Sequence, residues 1–299
     1  MIALMGAAGN VGSKVADLLL ARGEEIRALE HGRSLRSLEE RGAHVVKGDA
    51  REVDTLRDLF AGADAAFVLL PDDLADPRFV ATRSAMSEAI AAALAERPTR
   101  HVVALSAAGA DREDMTGPPA GLREYERRLS ALADVDILVL RPASYMDYLL
   151  MSIPLIQAQH INGSAIQGDR RIPMIATADV AREAAERLAR RDFTGHTAKL
   201  LLGPEDVSMR EATTALGARL GMPELPYVEF PPDDMKVAMV AAGMSDEAAS
   251  QVIDLQLGLN EGRPFDDVRR TAESATPTRL DEFLNGALAG ATTEGGGSR

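Results

Sequence analysis

The sequence predicts an α/β protein with a doubly wound parallel sheet and a smaller, mostly helical C-terminal domain. In the first half of the chain, short apolar runs rich in β-branched residues alternate with longer amphipathic stretches. Such runs are typical of parallel strands that helices cover on both faces. Right-handed crossovers between them produce a doubly wound sheet. A glycine-rich turn directly after the first apolar run marks where the first strand becomes the first helix.

The first half contains the elements of this sheet in regular order. Strands are predicted at residues 2–5, 25–29, 43–48, 64–70, 101–107 and 135–142. Helices are predicted at residues 10–22, 35–42, 53–62, 79–95 and 122–133. The segment DMTGPPAG, residues 114–121, is interpreted as a loop before the last of these helices.

The second half follows a looser pattern. Helices are predicted at residues 178–191, 208–221, 232–243, 246–259 and 278–289, and short strands at 198–203 and 226–230. Ser208 begins one helix, where its hydroxyl can accept a free backbone N–H. No second sheet is evident. We therefore predict a dinucleotide-binding type of domain at 1–150 with 175–203 returning to it, a smaller substrate domain at 151–285, and a disordered Gly/Thr-rich tail at 286–299.

Composition excludes several functional classes. Acidic residues outnumber basic ones by 46 to 33, which argues against nucleic-acid or anionic-membrane partners. The chain has no cysteine, so disulfides and cysteine-ligated metals are excluded, and its five histidines are too scattered to predict a metal site. No secretory signal or membrane span is evident, so a cytoplasmic protein with a small-molecule substrate is expected. Whether the protein forms a homodimer stays open.

Three glycines, Gly6, Gly9 and Gly12, follow the first strand and begin the first helix. Glycines in this position allow a tight turn, close approach of a pyrophosphate and close helix–strand packing. The N–H groups of Asn10 and Val11 would then face the phosphates at the positive end of the helix. The alternative is a strand-to-helix turn without a ligand.

Several ordered segments carry a family resemblance. GAAGNVGSKVADLLLARGEEIRAL, KGDARE, AFVLLP, VVALSAAGA and ILVLRPASYMDYLL in the first half, and IPMIATADVAREAAERL and LLGPEDVSMREATTALGARLG in the second, resemble the NmrA-like branch of the atypical short-chain dehydrogenases/reductases. The resemblance implies a Rossmann domain that binds NAD(P)(H) and a C-terminal domain that closes a cleft. Members of the branch include quinone, azo and double-bond reductases as well as redox-sensing regulators.

The residue that ends the second strand, Glu30, is predicted to face the adenosine ribose. An acid there accepts hydrogen bonds from both ribose hydroxyls and repels a 2′-phosphate, which favours NAD(H) over NADP(H). Many NmrA-like proteins instead have an apolar residue followed at once by arginine. Here Arg33 comes three residues later and could swing to a phosphate. The alternative for Glu30 is a solvated acid at the strand end.

Two further segments are predicted to contact the adenosine half. Asp49 and Ala50, in KGDA, resemble the family segment at the adenine amino group. Leu69 and Leu70 end the fourth strand and would pack near the adenine and ribose. The alternatives are a helix-capping role for Asp49 and plain core positions for the two leucines.

Candidate catalytic residues are Ser106, Tyr125 and Tyr145. The wider superfamily pairs a tyrosine with a lysine four residues later, and the lysine lowers the pKa of the phenol. Here Leu129 occupies the lysine position after Tyr125, so this pair is broken and Tyr125 is as readily a packed helix residue. Ser106 ends the fifth strand and either orients a substrate carbonyl and contacts the cofactor, or caps its own turn.

The segment after the sixth strand supplies the candidate substrate residues. These are Pro142, Tyr145, Met146 and Tyr148, beside the expected nicotinamide end. Two tyrosines in a chain with 4% aromatic residues favour a flat, apolar substrate, although core packing is the alternative. Family members often carry asparagine where Tyr148 stands.

These residues predict an NAD(P)(H)-dependent oxidoreductase that reduces a small planar carbonyl, quinone or enone acceptor. The cofactor supplies the hydride, so the missing lysine does not exclude an enzyme. Two alternatives stay open: a dinucleotide sensor that binds a partner protein without turnover, and an epimerase or isomerase that retains NAD.

Overall fold

The structure of the protein, a computed structural model, describes residues 1–96 and 99–289. Its strands are β1 Ile2–Leu4, β2 Ile26–Glu30, β3 His44–Lys47, β4 Ala65–Val68, β5 His101–Leu105, β6 Asp136–Pro142, β7 Ser144–Tyr145, β8 Asn162–Ser164, β9 Arg171–Ile175, β10 His196–Leu201, β11 Asp206–Ser208 and β12 Tyr227–Glu229. Its helices are α1 Gly12–Ala21, α2 Arg36–Glu40, α3 Val53–Phe60, α4 Phe79–Glu96, α5 Pro118–Ser130, α6 Ile153–Gln159, α7 Thr177–Arg190, α8 Met209–Arg219, α9 Pro232–Ala241, α10 Asp246–Asn260 and α11 Leu280–Leu288. A 3₁₀ helix spans Met146–Ser152.

The main sheet has seven parallel strands in the order β10-β6-β5-β4-β1-β2-β3. The chain builds outward from β1 in one direction through β2 and β3, and in the other through β4, β5 and β6. The strand order therefore reverses between β1 and β4, and crevices at such reversals are where this fold binds ligands. The predicted fold class is confirmed.

The sheet is buried on both faces because its residues alternate sides. Ile2 and Leu4 of β1 pack with α1 and α7, whereas Ala3 and Met5 pack on the opposite face with α3, α4 and α5. All four side chains have no solvent exposure. This two-sided burial explains why the strands are continuous apolar runs in the sequence.

The helix α7 and the strand β10 bring the chain back to the main sheet. The helix α7 packs against α1, and β10 then pairs in parallel with β6 at the edge of the sheet. The predicted domain bounds, 1–150 with 175–203 returning to the first domain and 151–285 for the second, stay predictions.

The second half has sheet structure of its own, contrary to the expectation from the sequence. One small sheet has the order β11-β9-β7, and another pairs β12 with β8. Only β12 lies within a predicted strand, at residues 226–230. The other strands, β7, β8, β9 and β11, are two to five residues long, too short for an alternating pattern to be recognised. The capping of α8 is as predicted: Ser208 Oγ accepts the Glu211 N–H at 3.2 Å, and Glu211 Oε2 accepts the Ser208 N–H at 2.8 Å.

Two predicted boundaries are wrong. The helix α5 begins at Pro118, inside the segment interpreted as a loop, because proline in a first helical turn needs no N–H partner. The helix α11 runs to Leu288 because Leu280, Leu284 and Leu288 form one buried stripe, so residues 286–288 do not belong to a tail. Residues 290–299 of the predicted tail lie outside the described residues. Within residues 1–96 and 99–289, no helix is long and apolar enough to cross a membrane.

Candidate functional site

The three predicted glycines form one loop between β1 and α1, and each has its own steric reason. Gly6 has φ of +68°, and a Cβ there would lie 2.7 Å from Leu69 Cδ2. A Cβ on Gly12 would lie 2.1 Å from the Gly6 carbonyl oxygen. At Gly9, by contrast, the nearest atom to an added Cβ is the Gly6 oxygen at 3.2 Å. Gly6 and Gly12 therefore build the turn, whereas Gly9 keeps its outer surface clear for a ligand.

The loop presents positive groups to that outer surface. Its Gly9 N–H closes the turn on the Gly6 carbonyl at 2.8 Å, but no backbone acceptor within the described ranges takes the N–H groups of Asn10 or Val11. Lys14, which the sequence analysis did not single out, donates to the Asn10 carbonyl at 2.7 Å. Free N–H groups, the positive end of α1 and this ammonium together fit a diphosphate.

Glu30 lies at the end of β2, as predicted, but its carboxylate is held rather than freely solvated. Its Oε2 accepts the Leu35 N–H at 2.6 Å, and its Oε1 lies 3.3 Å from Lys47 Nζ. The hydrogen bond from Leu35 lowers the pKa of Glu30 below its usual value, with Lys47 contributing. Glu30 is thus an ionised group at this position near neutral pH. Arg33 is exposed in the loop that follows.

The carboxylate of Asp49 is bound by Arg51, two residues later in the same turn. Its carboxylate accepts the Arg51 N–H at 2.8 Å and pairs with the Arg51 guanidinium, whose hydrogen bonds lower the pKa of Asp49. Ala50 is fully buried and Leu70 nearly so, in the core on the α3–α5 face of the sheet. Leu69 reaches the glycine loop, since its Cδ2 is the atom that a Cβ on Gly6 would meet. Of these four residues, Leu69 is the one that the structure brings directly to the loop.

Ser106 lies at the carboxyl end of β5 within a network of charged side chains. Its Oγ donates to Glu126 Oε1 at 2.5 Å. Arg141 of β6 binds the same carboxylate through both oxygens, at 3.1 and 2.6 Å, and reaches Asp111 Oδ2 at 2.7 Å. The sequence analysis did not single out Glu126. Its spacing indicates a position toward the sheet, because Glu126 lies four residues after the buried Leu122 and therefore shares its side of α5.

Tyr125 does not belong to the site. Its side chain has no solvent exposure and packs with Leu122 and Leu129 in the core between α5 and the sheet. Its hydroxyl has no hydrogen-bond partner in the described part of the chain. Burial raises the pKa of this phenol well above its usual value. A catalytic role for Tyr125 is therefore wrong, and its packed alternative is correct.

The segment after β6 brings two of its four predicted residues to the cleft. Tyr145 and Tyr148 lie with their ring centroids 5.6 Å apart and their planes at 57°. Tyr145 is partly buried, which raises its pKa well above the usual value, whereas Tyr148 is 54% exposed. Pro142 and Met146 are instead buried: Pro142 ends β6 and pairs with Leu201 of β10, and Met146 has no solvent exposure and lies in the core of the C-terminal half. Burial does not support their predicted contact with substrate.

This aromatic pair lies beside the glycine loop. Asp147, between the two tyrosines, has its Oδ1 3.9 Å from Lys14 Nζ and accepts the Thr177 hydroxyl at 2.7 Å. The strands β1 and β6 are parallel members of one sheet, so both segments leave the same edge. The loop and the tyrosines therefore lie at the same, carboxyl end of the sheet.

A charged pair faces the tyrosines from the loop after β4. Asp72 Oδ1 lies 3.2 Å from Arg83 Nη1, and the Arg83 side chain is only 9% exposed and covers the Phe79 ring. The Asp72 side chain is 47% exposed, and its charge contributes to the raised pKa of Tyr145. No pattern in the sequence indicates this pair, since PDD resembles an ordinary turn and Arg83 lies on an Ala-rich helix.

Comparison with known proteins gives one family match over more than half of the chain. The sequence model of the NAD(P)H-binding family matches residues 6–191. The NAD(P)H azoreductase of Xenophilus azovorans is 28% identical over 260 residues, which cover 85% of this chain and 86% of the relative.

Solved structures share the fold across nearly the whole chain. The NADPH-dependent quinone oxidoreductase of Escherichia coli, in complex with NADPH, aligns with a TM-score of 0.81 at 21% identity, covering 96% of this chain and 100% of that one. The triphenylmethane reductase of Citrobacter sp., in complex with NADP(H), aligns with a TM-score of 0.78 at 17% identity over the same shares.

Proposed function

Because the chain belongs to the NAD(P)H-binding family, we propose that it is an NAD(P)H-dependent reductase of small planar acceptors. The acceptor class is a carbonyl, quinone or enone compound that receives hydride from the nicotinamide. The observation that carries the proposal is the pair Tyr145 and Tyr148, because it places an aromatic wall at the sheet edge that also carries the glycine loop.

The glycine loop would hold the cofactor pyrophosphate. The N–H groups of Asn10 and Val11 would donate to its oxygens, and Lys14 would add a positive charge. The space kept clear at Gly9 supports this fit. When bound, the cofactor supplies the hydride, and the protein's own residues bind, orient and shield it.

We infer that the adenosine half favours NAD(H). Glu30 is ionised and fixed at the end of β2, where its charge would accept ribose hydroxyls and oppose a 2′-phosphate. Lys47 weakens the repulsion between Glu30 and a 2′-phosphate, because its ammonium lies 3.3 Å from the Glu30 carboxylate. Arg33 adds a second cation in the loop that follows β2. Leu69 would pack under the adenosine, and Asp49 with Ala50 would border the adenine.

The acceptor would stack on the tyrosine pair. Both hydroxyls are protonated near neutral pH, since a tyrosine phenol ordinarily has a pKa of about 10, so each can donate a hydrogen bond to an acceptor oxygen. Azo, quinone and triphenylmethane compounds are conjugated aromatic or planar molecules, and the names of the relatives support this acceptor class. The ordered motifs from GAAGNVG to VLRPASYMDYLL also support the NmrA-like branch within the family.

A binding and turnover experiment tests the proposal. Purified protein is titrated with NADH and with NADPH by fluorescence, and loss of reduced-nicotinamide absorbance is then followed with a panel of quinones, enones and azo compounds. We expect tight binding and acceptor-dependent oxidation. Tight binding without turnover across the panel would overturn the reductase and favour a dinucleotide sensor.

Variants assign the outcome to the two parts of the cleft. Gly9→Val should abolish dinucleotide binding while the protein stays folded, because its Cβ meets one neighbour at 3.2 Å. Gly121→Ala is the matched control, since a Cβ there meets nothing within 4 Å. Tyr148→Ala should raise the KM for the acceptor and leave cofactor affinity unchanged, whereas Tyr148→Phe keeps the ring and isolates the hydroxyl.

A further inference from the structure

The hydroxyl proton of Ser106 is committed to a protein acceptor. Glu126 receives two hydrogen bonds from the Arg141 guanidinium, which fixes it as a carboxylate without a proton to donate. In the 2.5 Å contact between Ser106 Oγ and Glu126 Oε1, the serine must therefore be the donor. A serine has a single hydroxyl proton, so Ser106 has none left for a ligand.

What remains available at Ser106 is acceptor capacity. Its backbone N–H is also used, because it donates to the Leu140 carbonyl at 2.8 Å and extends the β5–β6 pairing. The hydroxyl oxygen keeps lone pairs that can accept one more hydrogen bond. Ser106 is 5% exposed and the Glu126 side chain is 10% exposed, so water competes little for this arrangement.

The position of Ser106 in the sheet indicates which half of a bound dinucleotide would lie near it. It follows the carboxyl end of β5, next to β4, on the side of the strand-order reversal away from β2. Ligands of this fold lie across these strand ends, with the adenosine half toward β2 and the nicotinamide half toward β5. That half carries donors in its carboxamide NH₂ and its ribose hydroxyls.

We propose that Glu126 is a positioning residue that holds Ser106 as a hydrogen-bond acceptor for the nicotinamide half of the bound cofactor. This assignment replaces the expectation that Ser106 donates to a substrate carbonyl, because that role needs the proton that Glu126 already takes. Arg141 completes the arrangement by binding both carboxylate oxygens of Glu126 and holding them in place. The inference rests on the proposed cofactor site but not on turnover.

A comparison of two ligands tests the inference by binding alone. NADH carries the nicotinamide half, whereas ADP has the same adenosine and diphosphate without the nicotinamide ring and its ribose. Loss of one hydrogen bond corresponds to an affinity loss of about 2- to 10-fold. We expect Ser106→Ala to weaken NADH binding by this factor and to leave ADP binding unchanged.

The role of Glu126 is tested by a double-mutant cycle. Glu126→Gln keeps the shape of the side chain but removes one acceptor oxygen, so the Ser106 proton is no longer fixed. We expect Glu126→Gln to weaken NADH selectively, and the double variant with Ser106→Ala to lose no more than Ser106→Ala alone. Glu126→Asp should restore part of the affinity. Glu124→Gln is the matched control, because Glu124 lies on the same helix and pairs with Arg127 at the surface.

Each other outcome has a defined meaning. Equal losses of NADH and ADP affinity, or no loss of either, would overturn the inference and leave the network with a structural role. If Glu126→Gln does not fold, the Ser106→Ala comparison of the two ligands decides alone. If Ser106→Ala weakens NADH selectively, as predicted, but the wild-type protein reduces no acceptor, the proposed reductase is refuted and this inference stands.

Discussion

The orphaned hydroxyl of Tyr125 predicts a substitution that stabilises the protein. The side chain is fully buried and its Oη has no partner in the described part of the chain. Leaving a buried hydroxyl unpaired costs about 1–3 kcal/mol. Tyr125→Phe removes this oxygen and keeps the ring packed, so we expect the free energy of unfolding to rise by about 1–2 kcal/mol. For a chain of this size that corresponds to a Tm increase of roughly 2–6 °C.

Thermal and urea unfolding measure this effect, and a second tyrosine provides the control. Tyr227 is also buried, but its hydroxyl contacts Ser164 Oγ at 2.6 Å and the Ile166 carbonyl at 2.8 Å. Tyr227→Phe should therefore destabilise, by about 1 kcal/mol. Turnover by Tyr125→Phe should equal that of the wild type. A destabilised Tyr125→Phe, or one that binds cofactor normally but has lost turnover, would refute the assignment of Tyr125 to the core.

Three further predictions concern a helix cap, a phenol and the cofactor preference. Ser208→Ala should lower the free energy of unfolding by about 1 kcal/mol in urea denaturation, because it removes the capping box of α8. Burial raises the pKa of Tyr145 well above the usual value of 10.0, so the free energy of unfolding should fall as pH rises above about 10. Tyr145→Phe should reduce that fall in alkaline unfolding curves, and an unchanged curve would contradict the raised pKa. Glu30→Gln should increase the ratio of NADPH to NADH affinity in fluorescence titrations, since it removes the charge opposed to a 2′-phosphate. A wild type that already binds NADPH far more tightly would contradict this interpretation of Glu30.

The fold of the first half could be predicted because its signals are local. Each buried strand is a continuous apolar run, and the glycine loop joins the first strand to the first helix within a few residues. The short strands β7, β8, β9 and β11 could not be recognised, because two to five residues carry no measurable period. Their pairing depends on partners distant in the sequence, such as Ser144 with Met174.

The site divides in the same way. The glycine turn could be predicted from spacing, since Gly6, Gly9 and Gly12 lie within one short segment, whereas its role as a cofactor site stays a prediction. Motif position alone misjudged Tyr125, because burial between α5 and the sheet removes it from the cleft whatever its spacing.

The ion pairs of the site could not be predicted from the sequence. Arg83 pairs with Asp72, and Arg141 pairs with Glu126, across separate elements. In a chain with 79 charged residues, made of 46 acidic and 33 basic ones, local patterns do not determine which charges meet. Only the packing of α4 and α5 on the sheet brings these partners together.

Transfer of deuterium tests the central claim most directly. NADH that carries deuterium at the reactive nicotinamide carbon is incubated with the protein and an enone from the panel, and the product is analysed by mass spectrometry. The reductase proposal predicts one deuterium on carbon in the reduced product, with none formed by Gly9→Val. Bound NADH that keeps its deuterium while every acceptor stays unreduced would contradict it.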